Sequence, residues 1–497
     1  MSQQHLDRLS AMDASFLLQE GATTHMHIGG VATFEGPAPT YDEFLAHIRS
    51  RLALVPRYRQ KLAEPPLRTG RPLWIDDPNF NLGYHVRHTA LPEPGSEEQL
   101  LNLTSRIFSQ RLDRTKPLWE MWLVEGLGTD GEAVGEKRFS LVTKTHHCLV
   151  DGVAGIDLMS TLFDLDPVPR RVDEEDWLPA PEPSGAQLLV GSLQAWVDTG
   201  REIAGGLLHA VTHPERTLER VREAALGIGE VAWAGINPPP PTPLTGDIGP
   251  HRRFFVVRER LDELKEIKDA FGGTVNDVVL AVMAGALATF MRSRGIRTEG
   301  LELRACVPVS VRTGGQEGTM GNRITQILCP LPVYIEDPVA RLHFVREAMG
   351  GLKESKQALG AATIAGMEDF APPTILAQAS RLHFSTRMYT TLVTNIPGPQ
   401  FPLYVLGREL QDVVPVAFLG GKRSLATAIM SYNGGVSFGL IGDYDTLPDL
   451  EVIGEAVSES IAELVALARR EREQETVADH EVAGRAADRV RTNGATD

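Results

Sequence analysis

Cysteine is scarce in this chain: Cys148, Cys306 and Cys329 stand far apart and form no CxxC pair. That excludes a disulfide framework and zinc-finger spacing, and it points to a reducing compartment. Positive charge is also short. Against 65 acidic residues there are 49 basic ones, a formal net charge of -16. Phosphate binding needs a basic field, so nucleic acid is excluded as the main partner. Long hydrophobic runs are missing too. The longest mostly apolar stretch, 278–291, is 14 residues, short of the roughly 20 needed to span a bilayer. It reads as a buried helix. The opening residues show no apolar core of a signal peptide. A cytoplasmic protein, free or resting on a membrane, is expected.

What is present is a mixed pattern over 497 residues, a length that calls for two large domains. Residues 41–54 carry helical spacing, with Phe44, Ile48 and Leu52 on one face, and 97–111 form a second helical pattern. Strand-like runs lie at 84–91, 118–124 and 139–145, and helical patterning resumes at 154–165. This interleaving predicts an α/β fold. Two proline clusters, at 167–183 and 238–243, read as extended connectors. Between them, a helical crossover packed on the domains is the first expectation. A helix lying on a membrane surface is the second. A second mixed region, about 252–470, predicts a strand at 254–257, helices at 261–270 and from 275, a buried strand at 303–309, and paired strands across 435–445. The polar end is expected to be a disordered tail.

The candidate catalytic residues are His147, His146 and Asp151, in the segment His146-His147-Cys148-Leu149-Val150-Asp151-Gly152. A histidine at a strand end suits acid/base work, because imidazole titrates near pH 6.5. In transfer of an acyl group to an alcohol, the hydroxyl must lose its proton as it attacks. Adjacent strand residues point to opposite faces, so only one of the two rings can meet a given substrate. Asp151 is placed to brace the turn, and Gly152 removes a side chain where a bulky substrate passes.

The segment matches HHxxxDG, the active-site motif of the CoA-dependent acyltransferase superfamily, which also includes the condensation domains of peptide synthetases. Further motifs narrow the resemblance: Pro117-Leu118-Trp119-Glu120, Asn276-Asp277, Gly321-Asn322-Arg323, Asn395-Ile396-Pro397-Gly398-Pro399, and the opening Leu9-Ser10-Ala11-Met12-Asp13-Ala14-Ser15-Phe16. In this order, from about Leu9 to Leu467, the chain resembles the bacterial wax ester synthase/diacylglycerol acyltransferase family. The resemblance implies two chloramphenicol-acetyltransferase-like α/β domains meeting at a tunnel. It implies His147 as the general base and Asp151 as a structural brace. The implied substrates are acyl-CoA and diacylglycerol or a long-chain alcohol, with no metal and no other cofactor. It places the protein in the cytoplasm, at the inner face of the membrane or at lipid droplets. The expected division is 1–183 with HHxxxDG, a helical crossover at 184–245, a second domain at 246–470, and the tail at 471–497. Gly152, Asn276 and Asp277 are the candidate substrate-binding residues. Thr274, Asn276 and Asp277 are equally good helix-start residues, and Pro117 to Trp119 read as packing. One departure stands out. The superfamily often carries Asp-Phe-Gly-Trp-Gly where this chain has Ser437-Phe438-Gly439-Leu440, which removes a carboxylate from a cross-domain ion pair.

Three rivals are weaker. Gly435-Val436-Ser437-Phe438-Gly439 spells a nucleophile elbow, but residues 440–445 are strand-like and turn-rich rather than helical, and the only later histidine is His480. His25 and His27, with the paired histidines, lack the spacing of a zinc site. A non-catalytic lipid-binding protein has no need of an intact HHxxxDG segment.

Overall fold

The computed structural model describes residues 7–128, 137–149, 161–170, 172, 177–194, 197, 201, 237–310, 324–354 and 388–493. In chain order its strands are β1 (Asp7–Arg8), β2 (His27–Phe34), β3 (Gln60–Ala63), β4 (Leu73–Asp76), β5 (Val86–Ala90), β6 (Trp119–Leu127), β7 (Arg138–His146), β8 (Arg252–Arg260), β9 (Leu303–Ser310), β10 (Ile324–Leu331), β11 (Thr391–Pro397), β12 (Tyr404–Val405), β13 (Arg408–Val416), β14 (Leu425–Tyr432) and β15 (Gly435–Asp443). The helices are α1 (Ala11–Gln19), α2 (Tyr41–Arg51), α3 (Leu82–His85), α4 (Glu97–Phe108), α5 (Leu261–Phe271), α6 (Val275–Ser293), α7 (Pro338–Glu354) and α8 (Leu450–Asn493).

Two six-stranded sheets carry the molecule. The first runs β12-β13-β2-β7-β6-β5, the second β10-β9-β11-β14-β15-β8, and a small sheet β1-β4-β3 stands apart. The chain is thus α/β, as the alternation of patterns predicts. The segment 84–91 is strand only from Val86; before it α3 makes one turn, capped by the Asn81 side chain on Gly83 N–H.

The sheet order crosses the chain order. β12 and β13 lie within the span expected to be one block at 246–470, yet β13 pairs antiparallel with β2, Val414 opposite Val31 and Val413 opposite Ala32. β13 also packs against β14 and β15 of the second sheet. The approach is close: a Cβ on Gly439 would come within 1.9 Å of the Pro415 carbonyl oxygen. Only glycine fits there. Apolar residues of both sheets, including Val31, Val124, Val142, Cys306, Ala428 and Ile441, form one cluster between them.

The second sheet is covered by α6. Thr274 and Asp277 form a capping box that starts it. It passes a length-and-composition test for crossing a membrane, but 78% of that window is buried inside the protein. Its Val278, Leu280, Val282, Met283, Leu287 and Phe290 belong to the second sheet's core. Each such side chain contributes about 1.5–3 kcal/mol on burial, which fixes α6 as a core helix.

The tail expectation requires correction: α8 continues as helix to Asn493. Residues 471–493 are rich in Ala, Glu and Arg and hold no proline, so strong helix propensity prolongs a helix already docked further back. Most of the 184–245 crossover, most of the 154–165 helical pattern, and Gly321 to Arg323 lie outside the described residues.

Candidate active site

β7 ends at His146, and His147 opens a 3-10 turn, His147–Leu149. Two bonds shape this turn. His147 N–H donates to the Met26 carbonyl at 2.8 Å, and Cys148 N–H donates to His146 Nδ1 at 3.1 Å. The two histidines therefore part company, as adjacent strand-end residues should. His146 is fully buried. Its ring meets His27, its partner across the β2–β7 ladder, edge-on at 5.8 Å between centroids.

His147 turns the other way. Its ring stacks on Phe16 of α1 at 3.9 Å and 24°, and meets Phe418, just past β13, edge-on at 5.4 Å. Phe16 and Phe418 both belong to the cluster between the sheets. His147 Nδ1 is buried without a hydrogen-bond partner, while the residue as a whole keeps partial exposure. Burial lowers its pKa to about 4, with weak compensation from its own main chain. The imidazole is neutral at pH 7 and can accept a proton.

A polar cluster lies beneath the turn. Glu20, just past α1, places Oε1 3.3 Å from His27 Nε2 and Oε2 4.0 Å from His146 Nε2. Arg114 grips the same carboxylate through Nε at 2.6 Å and Nη2 at 2.5 Å, and also donates to the Leu17 carbonyl at 2.8 Å. Burial alone would raise the Glu20 pKa. The contacts with His27 and His146 and the charge of Arg114 outweigh it and bring it to about 2. His27 is lowered to about 4 and His146 well below the usual value, both chiefly by burial. Among the described residues, no three His, Cys, Asp or Glu side chains are grouped as a metal site.

The structure brings together His146 and His147 from the expected residues. Asp151 and Gly152 lie outside the described residues. Asp277 is occupied elsewhere: its Oδ2 accepts from Thr274 N–H and Oγ1, both at 2.8 Å, as the helix-start reading expects. The helix it opens with Asn276 packs on α5, α7, α8 and β10. Leu118 and Trp119 are core residues, with Trp119 Nε1 donating to the Tyr58 carbonyl at 2.8 Å. Ser437 sits inside antiparallel β15 and donates to Asp412 Oδ1 at 2.7 Å, so no nucleophile elbow forms. Sequence reasoning missed Phe16, Glu20, Arg114 and Phe418. Phe16 lies in the opening motif 9–16, but nothing in that motif points to a stacked imidazole.

A neutral histidine at a strand end, between two α/β sheets joined in this way, defines an acyltransferase of chloramphenicol-acetyltransferase-like fold. The family profile described as wax ester synthase/diacylglycerol acyltransferase catalytic domain matches residues 9–279, and the WS/DGAT C-terminal domain matches 320–465. The chain belongs to the wax ester synthase/diacylglycerol acyltransferase family and is an acyltransferase. It is 32% identical over 473 residues to a probable diacylglycerol O-acyltransferase, tgs1, of Mycobacterium tuberculosis (strain ATCC 25618 / H37Rv), covering 94% of this chain and 97% of the relative. Among solved structures it is similar to the wax ester synthase/diacylglycerol acyltransferase from Marinobacter aquaeolei VT8. The TM-score is 0.64 at 27% identity, over 93% of this chain and 99% of that one. The first condensation domain of the calcium-dependent antibiotic synthetase shares the fold, with a TM-score of 0.59 at 18% identity over 94% and 97% of the two chains.

Proposed function

We propose that the protein transfers a long-chain acyl group from acyl-CoA to the free hydroxyl of diacylglycerol, releasing triacylglycerol and CoA. His147 is the general base. Its Nε2, opposite the buried Nδ1, takes the hydroxyl proton as the oxygen attacks the thioester carbonyl. The tetrahedral adduct then expels the thiolate by breaking the C–S bond, and the imidazolium returns the proton to sulfur. No acyl-enzyme is needed, and the histidine ends as it began.

The observation that carries this reading is the His147 ring itself, neutral, clamped by Phe16 and Phe418 at the end of β7, with Nδ1 buried. Diacylglycerol as acceptor rests on the mycobacterial relatives, which are named for it. A wax ester reading, with a long-chain alcohol as acceptor, is supported by the similarity to the Marinobacter protein, which is named for both activities.

The test uses radiolabelled acyl-CoA with diacylglycerol and a long-chain alcohol in parallel. His147→Ala should lower turnover by roughly 10²–10⁴-fold while the fold survives. Turnover within a few-fold of the native chain would end the base assignment. Preference for the alcohol would replace diacylglycerol as the main acceptor.

A further inference from the structure

We propose that Glu20, held by Arg114, is a positioning residue for the acyl transfer: it keeps the proton of neutral His146 on Nε2, so that His146 Nδ1 stays free to accept the Cys148 N–H that shapes the His147 turn. The proposal rests on the assignment of His147 as the base.

The argument starts from one bond. Cys148 N–H donates to His146 Nδ1 at 3.1 Å, so Nδ1 carries no proton. A neutral imidazole then bears its proton on Nε2. That nitrogen is buried and has no hydrogen-bond partner. Among the described residues, the carboxylate oxygen paired with it is Glu20 Oε2, 4.0 Å away. If the proton moved to Nδ1, two N–H groups would face each other and the turn would lose its internal bond. The Cys148 N–H would then be left buried without its acceptor, which is unfavourable, and that strain would fall on the residue next to His147.

A lone carboxylate would overshoot, because a negative charge beside a buried imidazole also favours the fully protonated ring. Arg114 removes that hazard. Its guanidinium donates twice to Oε2, the oxygen that also lies 4.0 Å from His146 Nε2, and cancels the net charge of Glu20 while leaving a local dipole. The pair therefore orients a proton without adding one. The other groups around His146 are His27 from β2 and His147 on its own turn. His25 lies beyond His27, its ring tilted by 30° at 5.7 Å between centroids, with its Nε2 3.1 Å from the Ala22 carbonyl. Burial lowers the pKa of His25, His27, His146 and His147 alike. Among the described residues, Glu20 is thus the carboxylate that can distinguish one His146 nitrogen from the other.

The test is nitrogen NMR on full-length protein labelled with ¹⁵N-histidine, with His146 assigned by the signal lost in His146→Gln. Native protein at pH 7 should show His146 protonated on Nε2 alone. A native signal from the Nδ1–H form or the imidazolium would overturn the proposal without any variant. Glu20→Gln should shift His146 toward a mixture of tautomers and lower kcat by about tenfold or more with little change in KM, and Glu20→Asp should recover part of that loss. An unshifted His146 signal with native turnover in Glu20→Gln would also overturn it. His147→Ala, run alongside, separates the two claims. It should abolish turnover and leave the His146 signal in place, and turnover surviving there would sink the base assignment instead.

Discussion

The His147 ring lies on the Phe16 ring at 3.9 Å, with their planes 24° apart. This contact ties the His147 turn to α1, and Nδ1 of the ring is buried. Its consequence is electrostatic. A ring removed from water resists protonation, and the His147 pKa falls to about 4. The base form is the neutral one, so kcat/KM should stay flat from pH 8 to about 5 and fall with a midpoint near 4. Phe16→Ala admits water and should move that acid limb up toward 6.5, with a stability loss of about 3–5 kcal/mol from the cavity. A native midpoint between 6 and 7 would show a solvated ring.

Acid should unfold the protein in a definite window. His27, His47 and His147 are each held near 4, chiefly by burial, against about 6.5 in an unfolded chain. Between those values the unfolded chain binds protons that the folded one refuses. Stability therefore falls as the pH drops from 6.5 toward 4, by up to roughly 3 kcal/mol per group. Glu20, near 2, adds a further loss only below its unfolded value of about 4.5. Urea midpoints at pH 7.5, 5.5 and 4.5 check this, and a flat series would refute it.

Ser437 should be dispensable for chemistry. Ser437→Ala removes its bond to Asp412 and should cost about 0.5–1.5 kcal/mol with turnover unchanged. Asp412 matters more, because it also binds Arg258, the residue opposite Ser437 across the β8–β15 ladder, at 2.5 Å, and Arg258 reaches Glu97 at 2.6 Å. The carboxylate missing at 437 is thus supplied from the first sheet. Asp412→Ser should lower the melting temperature, and adding Ser437→Asp should recover part of the loss. No recovery in the double variant would show that the two positions are not exchangeable.

Asp277 separates capping from substrate binding. Loss of its capping box in Asp277→Ala should cost about 1 kcal/mol and leave KM for both substrates unchanged. A raised KM with unchanged melting would restore the substrate-binding role.

Much of this protein is legible from residue order alone. Helix starts such as Thr40 with Glu43 and Thr274 with Asp277 are local signals, and the structure forms both capping boxes. The strand that delivers the histidines shows its alternation, and the opposite facing of His146 and His147 comes from pleat geometry. The failure of the GxSxG decoy was readable too, since a strand pattern rather than a helix continues from it.

What only the tertiary structure decided depends on contacts between residues distant in sequence. β13 joins β2 across nearly 400 positions. A strand's alternation says which face is apolar but not which neighbour its backbone will pair with. Glu20, Arg114 and His146 meet because a loop, a helix end and a strand end converge on one buried point, and no spacing encodes that. The sequence by itself determined many of the elements and pointed to His147 as the candidate base. The environment that keeps the ring neutral arises from long-range burial, because desolvation exists only once the chain has closed around it.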